Sequence, residues 1–162
     1  LVSRSGLVTV TGGKWTTYRA MAEDGLAKCA SAGLLPARPA GVTTNLPLVG
    51  APAASARLPS LSAAPGLHLY GTEAGQVEGL PGRDQHLGGG LTAAMVRFAA
   101  RHEYARTVED VLARRSRLLF LDARLAASLA GEVGALLQAE TGTDPRTAEF
   151  EALAATYLTL PA

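Results

Sequence analysis

The stretch Asp122-Ala-Arg-Leu-Ala-Ala-Ser-Leu-Ala-Gly-Glu-Val-Gly-Ala-Leu-Leu-Gln-Ala-Glu140 decides the fold class. Leu125, Leu129, Val133, Leu136 and Leu137 follow at steps of four, four, three and one, which lays them along one helix face. Beyond it, Asp144-Pro145 predicts an N-cap with proline at the first helical position, opening a last helix that runs to about Leu158. Before it, Thr107-Val108-Glu109-Asp110 predicts a capping-box-like start, with Asp in place of the usual Glu, for a helix to Arg117. Leu91–Glu103 places Leu91, Met95, Phe98 and Ala99 on one side of another helix, and Leu67–Leu80 reads as a short one. The expectation for 67–162 is a lobe of four or five helices with short loops. No repeat at a 20–50 residue period interrupts it.

The N-terminal end reads differently. Gly6 to Thr11 alternates apolar and polar side chains with β-branched residues, the pattern of a half-buried strand. Gly12-Gly13 breaks that pattern, and Thr16–Ala32 predicts a helix with Tyr18, Met21, Leu26 and Cys29 on its apolar side. A strand, a glycine turn and a helix start suggest the last βα unit of an α/β layer whose partner strands are not in this chain. The opening at Leu1, already close to that strand, suggests the C-terminal piece of a longer polypeptide. Residues 34–66 hold most of the nine prolines and several Ala/Ser clusters, with one extended island at Asn45–Gly50. So long a stretch without regular structure reads as a connection between two lobes. The fold class expected is therefore mainly α: a C-terminal helical domain at 67–162, preceded by a terminal strand-turn-helix at 1–33.

Composition bounds the function. The chain has 162 residues, 48% apolar and 18% charged, enough for one adequate core. Fifteen basic against fourteen acidic residues leave a net charge of +1, which gives no electrostatic case for nucleic acid. A single cysteine, Cys29, excludes an internal disulfide. No apolar run approaches the ~18–20 residues of a membrane span, so a soluble or surface-attached protein is expected.

Three motif readings fail on spacing. A phosphate loop would need glycine where Val8 stands and Ser or Thr where Trp15 stands. His102-Glu103-Tyr104-Ala105-Arg106 has arginine where a helical zinc site needs its second histidine, and His68, His86 and His102 are far apart, so no metal is expected. Gly88-Gly89-Gly90 lacks the spacing of a dinucleotide fingerprint and reads as a flexible turn. Arg101–Arg124 carries six arginines and four acids. It is either a solvated face with local ion pairs or a cluster facing a phosphate, a lipid headgroup or a neighbouring lobe.

The strongest local feature is Val10-Thr-Gly-Gly-Lys-Trp-Thr-Thr-Tyr-Arg19. Gly12 and Gly13 allow close approach of the backbone, the helix start offers free N–H groups to an anion or an electron-rich ring edge, and Lys14 adds a full positive charge. An ordinary βα turn with a solvated lysine remains the alternative.

Gly-Leu-Val-Thr-Val-Thr-Gly-Gly-Lys-Trp-Thr-Thr-Tyr-Arg (6–19) resembles the last flavin-domain segment of the FAD-dependent, respiratory glycerol-3-phosphate dehydrogenases and the related alpha-glycerophosphate oxidases. Leu-His-Leu-Tyr-Gly-Thr (67–72) and the stretch 101–124 are similar to their helical C-terminal domain. The resemblance implies oxidation of glycerol 3-phosphate at C2 by hydride transfer to flavin N5, giving dihydroxyacetone phosphate, with electrons passed to membrane quinone, or to oxygen in the oxidases. It implies that Lys14 lies at the flavin and substrate site, and that Gly12, Gly13, Lys14, Trp15, Thr16 and Thr17 lie against FAD. It implies dimer or membrane contacts for the helical domain, with Arg101–Arg124 the best candidate surface, and a place at the cytoplasmic side of the inner membrane. The family's ADP-binding glycine turn, substrate-phosphate arginines and candidate catalytic histidine are upstream of Leu1. None of the three histidines here matches, so no catalytic base is carried over, and this chain alone is expected to be inactive and unable to hold FAD. The competing reading is a helical interaction module fused to a non-catalytic βα remnant.

Overall fold

Asp122 caps the long helix: its carboxylate accepts the Leu125 N–H at 2.9 Å. The computed structural model describes residues 1–52 and 66–159 and divides into two units, Leu1–Leu48 and Val49–Ala162. In the second unit the capped helix is α5 (Ala123–Thr141), closed by Gly142 in the left-handed conformation at φ 69°. Leu129, Val133 and Leu137 are buried along it, and Leu125 and Leu136 pack beside them. α6 (Thr147–Tyr157) lies against α5 and buries Phe150 and Ala154.

α6 begins later than the sequence predicts. Pro145 is buried, and its carbonyl accepts the Val108 N–H at 2.9 Å. Asp144 accepts the Arg146 N–H at 2.9 Å, Arg146 turns through φ 55°, and the helix starts at Thr147. Tying Pro145 to the neighbouring segment removes it from the helix that its position predicts it to open.

α3 (Ala93–His102) is the most buried helix, with the Thr92 hydroxyl accepting the Met95 N–H at 3.3 Å. Before it, β1 (His86–Gly88) and β2 (Leu91–Thr92) form an antiparallel hairpin. The glycine triplet, expected to be a flexible turn, is the tip of that hairpin. A Cβ at Gly89, where φ is 56°, would come within 2.7 Å of Leu118 Cδ1, so glycine lets the turn press onto the core leucines.

The expected Leu67–Leu80 helix is a 3-10 segment at Leu67–Glu73, kinked within itself at Gly71, followed by α2 (Ala74–Glu78). The capping box forms as predicted: the Asp110 carboxylate accepts the Thr107 N–H at 2.9 Å, and the Thr107 hydroxyl accepts the Asp110 N–H at 3.2 Å. A π-helical turn, Asp110–Arg115, comes next, and after it the short α4 (Leu118–Leu121). The chain is mainly helical.

The first unit departs from expectation at its start. Gly6–Thr11 forms no strand; a single antiparallel bridge joins Val2 to Val8, and the Thr9 N–H reaches the Leu1 carbonyl at 2.8 Å. A strand is completed by neighbours that pair with its N–H and C=O groups, and no described residue supplies a ladder here. A 3-10 turn at Trp15–Thr17 then leads into α1 (Tyr18–Ser31). Of its expected apolar face, Tyr18 and Leu26 are exposed and Met21 and Cys29 half-buried. Of the expected connection at 34–66, residues 53–65 lie outside the described residues.

Candidate functional site

The turn at Lys14 is built from backbone geometry. Gly12 and Gly13 adopt φ 81° and 91°, values that L side chains resist. The two glycines differ in what surrounds them. A Cβ at Gly13 would overlap the Met21 sulfur, so this glycine admits the first turns of α1 to the extended segment. Gly12 meets nothing within 4 Å and leaves an open approach.

Thr17 holds the turn closed. Its hydroxyl accepts the Lys14 N–H at 3.1 Å and donates to the Lys14 carbonyl at 2.9 Å, and its own N–H bonds the same carbonyl at 2.9 Å. Trp15 is 88% exposed, with its ring 5.7 Å from that of Tyr18. Lys14 and Thr16 are exposed, and no carboxylate pairs with Lys14 among the described residues. Glu23 ties α1 to the residues beyond it by accepting from Arg19 at 2.8 Å and from the Gly41 N–H. The result is an exposed cation beside an open glycine at a helix start, a surface suited to negative charge.

In the second unit the arginines of Arg101–Arg124 fall into two sets. Four are engaged within the unit. Arg101 makes a two-pronged contact with Glu140 at 2.6 and 2.9 Å, and Arg97 joins the same carboxylate at 3.2 Å. The Arg101 hydrogen bond, more than burial, holds the Glu140 carboxyl below its ordinary range. Arg106 donates to the Ala100 and Ala105 carbonyls at 2.9 Å and lies 4.2 Å over the Tyr104 ring. Arg114 pairs with Glu109 at 2.7 Å and Asp110 at 2.6 Å, and Arg115 with Glu103 at 3.4 Å. Burial pushes the Asp110 carboxyl up, but the Arg106 and Thr107 N–H groups, the Thr107 hydroxyl and Arg114 outweigh it and hold the group down at about 2.

Arg117 and Arg124 make no ion pair among the described residues. Near them in sequence lie Phe120 and Leu121, 54% and 67% exposed. The Phe120 ring meets that of Tyr157 edge-on at 5.7 Å, which brings exposed Tyr157 and Leu158 into the same patch.

Sequence reasoning missed a polar cleft of about 370 Å³ lined by Tyr70, Glu73, Glu103, Arg114 and Arg115, with Gly50 at its edge. Burial pushes the Tyr70 phenol up, and the Glu103 carboxylate adds to the shift. Its walls come from segments far apart in the chain, and only the motif at 67–72 hinted at it. Among the described residues no group of three or more His, Cys, Asp and Glu is placed to share a metal. No helix among them is long and apolar enough to cross a membrane.

Comparison with known proteins places the chain. Residues 41–148 match the family model described as the C-terminal domain of alpha-glycerophosphate oxidase. The mitochondrial glycerol-3-phosphate dehydrogenase of Arabidopsis thaliana is 36% identical over 165 residues, covering 83% of this chain and 26% of the relative. Glycerol-3-phosphate dehydrogenase 1 of Mycobacterium tuberculosis is 39% identical over 124 residues, covering 72% and 24%. The Bos taurus mitochondrial glycerol-3-phosphate dehydrogenase is 34% identical over 170 residues, covering 93% and 23%. The chain thus spans about a quarter of the length of these curated relatives. No solved structure matches it.

Proposed function

The chain belongs to the family of the alpha-glycerophosphate oxidase C-terminal domain, and from that premise we propose that it is the C-terminal part of an FAD-dependent enzyme oxidising sn-glycerol 3-phosphate to dihydroxyacetone phosphate. The observation that carries this reading is the family match across 41–148. In this organisation 1–33 is the terminal segment of the flavin domain, a glycine turn leading into α1, with 34–66 the connection and 67–162 the helical C-terminal domain. The preceding FAD domain is the first partner, and this chain without it is inactive.

The Lys14 turn fits one edge of a flavin: Gly12 has open space, the helix start presents N–H groups, and Lys14 meets no carboxylate among the described residues. Bound there, FAD would supply the two-electron acceptor for the hydride lost from C2. The chain's own contribution is binding and electrostatics. Lys14 offsets negative charge on the substrate phosphate or oxygen, and the amides of Trp15 and Thr16 favour negative charge at the cofactor edge. Gly12 admits the cofactor, Gly13 seats Met21 behind it, and Thr17, whose hydroxyl and amide are both taken by Lys14, holds the loop.

Electrons then pass to quinone at the cytoplasmic face of the inner membrane, where the protein is peripheral. The surface proposed for that contact, or for a second copy in a homodimer, is the exposed Phe120–Leu121–Tyr157–Leu158 patch near Arg117 and Arg124. One observation favours a second reading of the acceptor: the matched family is described by an oxidase, which points to oxygen.

The test uses the polypeptide with its upstream reading frame restored. A yellow flavin spectrum that bleaches when glycerol 3-phosphate is added without oxygen is the expected result. A colourless protein, or a flavin indifferent to this substrate, overturns the reading. Reoxidation by a quinone analogue or by oxygen then separates the acceptors.

A further inference from the structure

Met21 sits one helical turn after Thr17, half-buried on a helix that buries no residue completely. Its sulfur lies 3.5 Å from the Thr17 hydroxyl, the same hydroxyl that accepts the Lys14 N–H and donates to the Lys14 carbonyl. The sulfur also meets Gly13. A Cβ on Gly13 would overlap it, stand 2.8 Å from the Met21 methyl carbon and lie 3.3 Å from the Thr17 hydroxyl. The thioether thus touches both the backbone that precedes Lys14 and the side chain that closes the turn after it. All of these residues belong to the first unit.

The segment leading into the turn follows the same helix face. Gly25 comes four residues after Met21, and a Cβ on it would lie 3.4 Å from a Val10 methyl. Val10 meets α1 at glycine, where no side chain intervenes, whereas Gly13 rests on Met21, where one does. The length of the Met21 side chain therefore sets how far the backbone before Lys14 stands off the helix. An unbranched thioether fills an irregular gap of this kind without forcing its neighbours.

We propose that Met21 is a positioning residue: its side chain carries the Gly13–Thr17 turn and so sets where the Lys14 ammonium stands. This rests on the reading of that turn as part of the flavin and substrate site.

The experiment compares Met21→Ala, Met21→Leu and Cys29→Ala in the full-length enzyme, with Met21→Ala also placed in a Lys14→Ala background. Cys29 is half-buried further along the same helix, so its variant controls for trimming α1 away from the turn. Met21→Val, which shortens the side chain less drastically, decides the matter if Met21→Ala fails to fold. Amide exchange over Gly12–Tyr18 is read by mass spectrometry, together with kcat and KM. Met21→Ala should speed that exchange about fivefold and lower kcat/KM about fivefold. Met21→Leu should restore both to within about twofold of wild type, and Cys29→Ala should leave both unchanged. In the Lys14→Ala background Met21→Ala should cost less than about twofold more, because residues that act through one another do not add. Wild-type exchange in Met21→Ala overturns the proposal, as do losses that multiply fully in the double variant or an equal effect of Cys29→Ala. If the wild-type flavin ignores glycerol 3-phosphate, or Lys14→Ala keeps full turnover, the functional reading fails instead. Exchange over Gly12–Tyr18, which needs no substrate, then still decides whether Met21 carries the turn.

Discussion

Seven of the ten residues of α3 are buried, whereas the longer α1, fourteen residues, buries none. Both helices are rich in alanine and both begin after a threonine. They differ in what surrounds them. α3 is enclosed by the hairpin, α2 and α5 and places Met95, Val96 and Phe98 in a continuous core. Among the described residues α1 is held by the ion pairs Arg19–Glu23 at 2.8 Å and Lys28–Asp24 at 2.7 Å and by contacts to Gly41 and Thr43 just beyond it, none of which buries a side chain. Such pairs are worth about 0.3–0.5 kcal/mol each, far less than burial of a single large side chain. An isolated helix of this length is marginal in water. Under the proposed function, the surface that covers α1 belongs to the flavin domain. Under that reading, the helical unit carries its own stability, while the first unit would draw its order from a partner and supply a site in return.

The largest expected effect breaks the core side of that contrast. Phe98→Ala should cost the helical unit about 3–5 kcal/mol in urea unfolding followed by circular dichroism, because Phe98 is wholly buried. Leu26→Ala on α1, 60% exposed, should change stability by less than about 0.5 kcal/mol. Similar costs for the two would erase the distinction.

Lys14→Ala sharpens the other side. In the full-length enzyme it should lower turnover at least tenfold, roughly 1.4 kcal/mol, with little change in folding. Unchanged turnover would favour the non-catalytic remnant.

A smaller effect lies in the capping box. The Asp110 carboxyl is held at about 2, below its ordinary value of 3.8. A lowered acid contributes stability above the ordinary value and loses it as pH falls through the folded one. Acid unfolding of wild type should therefore steepen between about pH 4 and pH 2, and Asp110→Asn should flatten that window. Solvent screening limits the contribution at neutral pH to about 1 kcal/mol. Identical acid profiles would remove the cap from the account.

The smallest effect concerns the surface. Arg117→Glu with Arg124→Glu should weaken sedimentation with anionic vesicles or shift the oligomer mass, at up to about 1 kcal/mol per arginine. Arg114→Ala with Arg115→Ala should do less, since both side chains are already spent on Glu109, Asp110 and Glu103. The reverse ranking would return the contact to the paired arginines.

Much of the helical unit was legible because local signals agreed with burial. The Leu125–Leu137 stripe and the Thr107–Asp110 box both formed where their spacing placed them. Errors arose where a distant residue intervened, as at Pro145, whose carbonyl was claimed by Val108. The glycine triplet was legible as a turn, but not its tightness, which depends on Leu118. In the candidate site, Gly12 to Thr17 were singled out from sequence, but the division of labour between Gly12 and Gly13 was not. Met21 decides it, by occupying the space a side chain at Gly13 would need.

The sequence by itself determined the helical periods, the Thr107–Asp110 box and the glycine–lysine turn, because these depend on residues within about one helical turn of each other. Only the tertiary structure decided which arginines are neutralised, where the polar cleft opens, and that Gly89 lets the hairpin tip press onto Leu118. Those outcomes depend on approaches between residues distant in sequence, whose packing and hydrogen bonding no local pattern encodes.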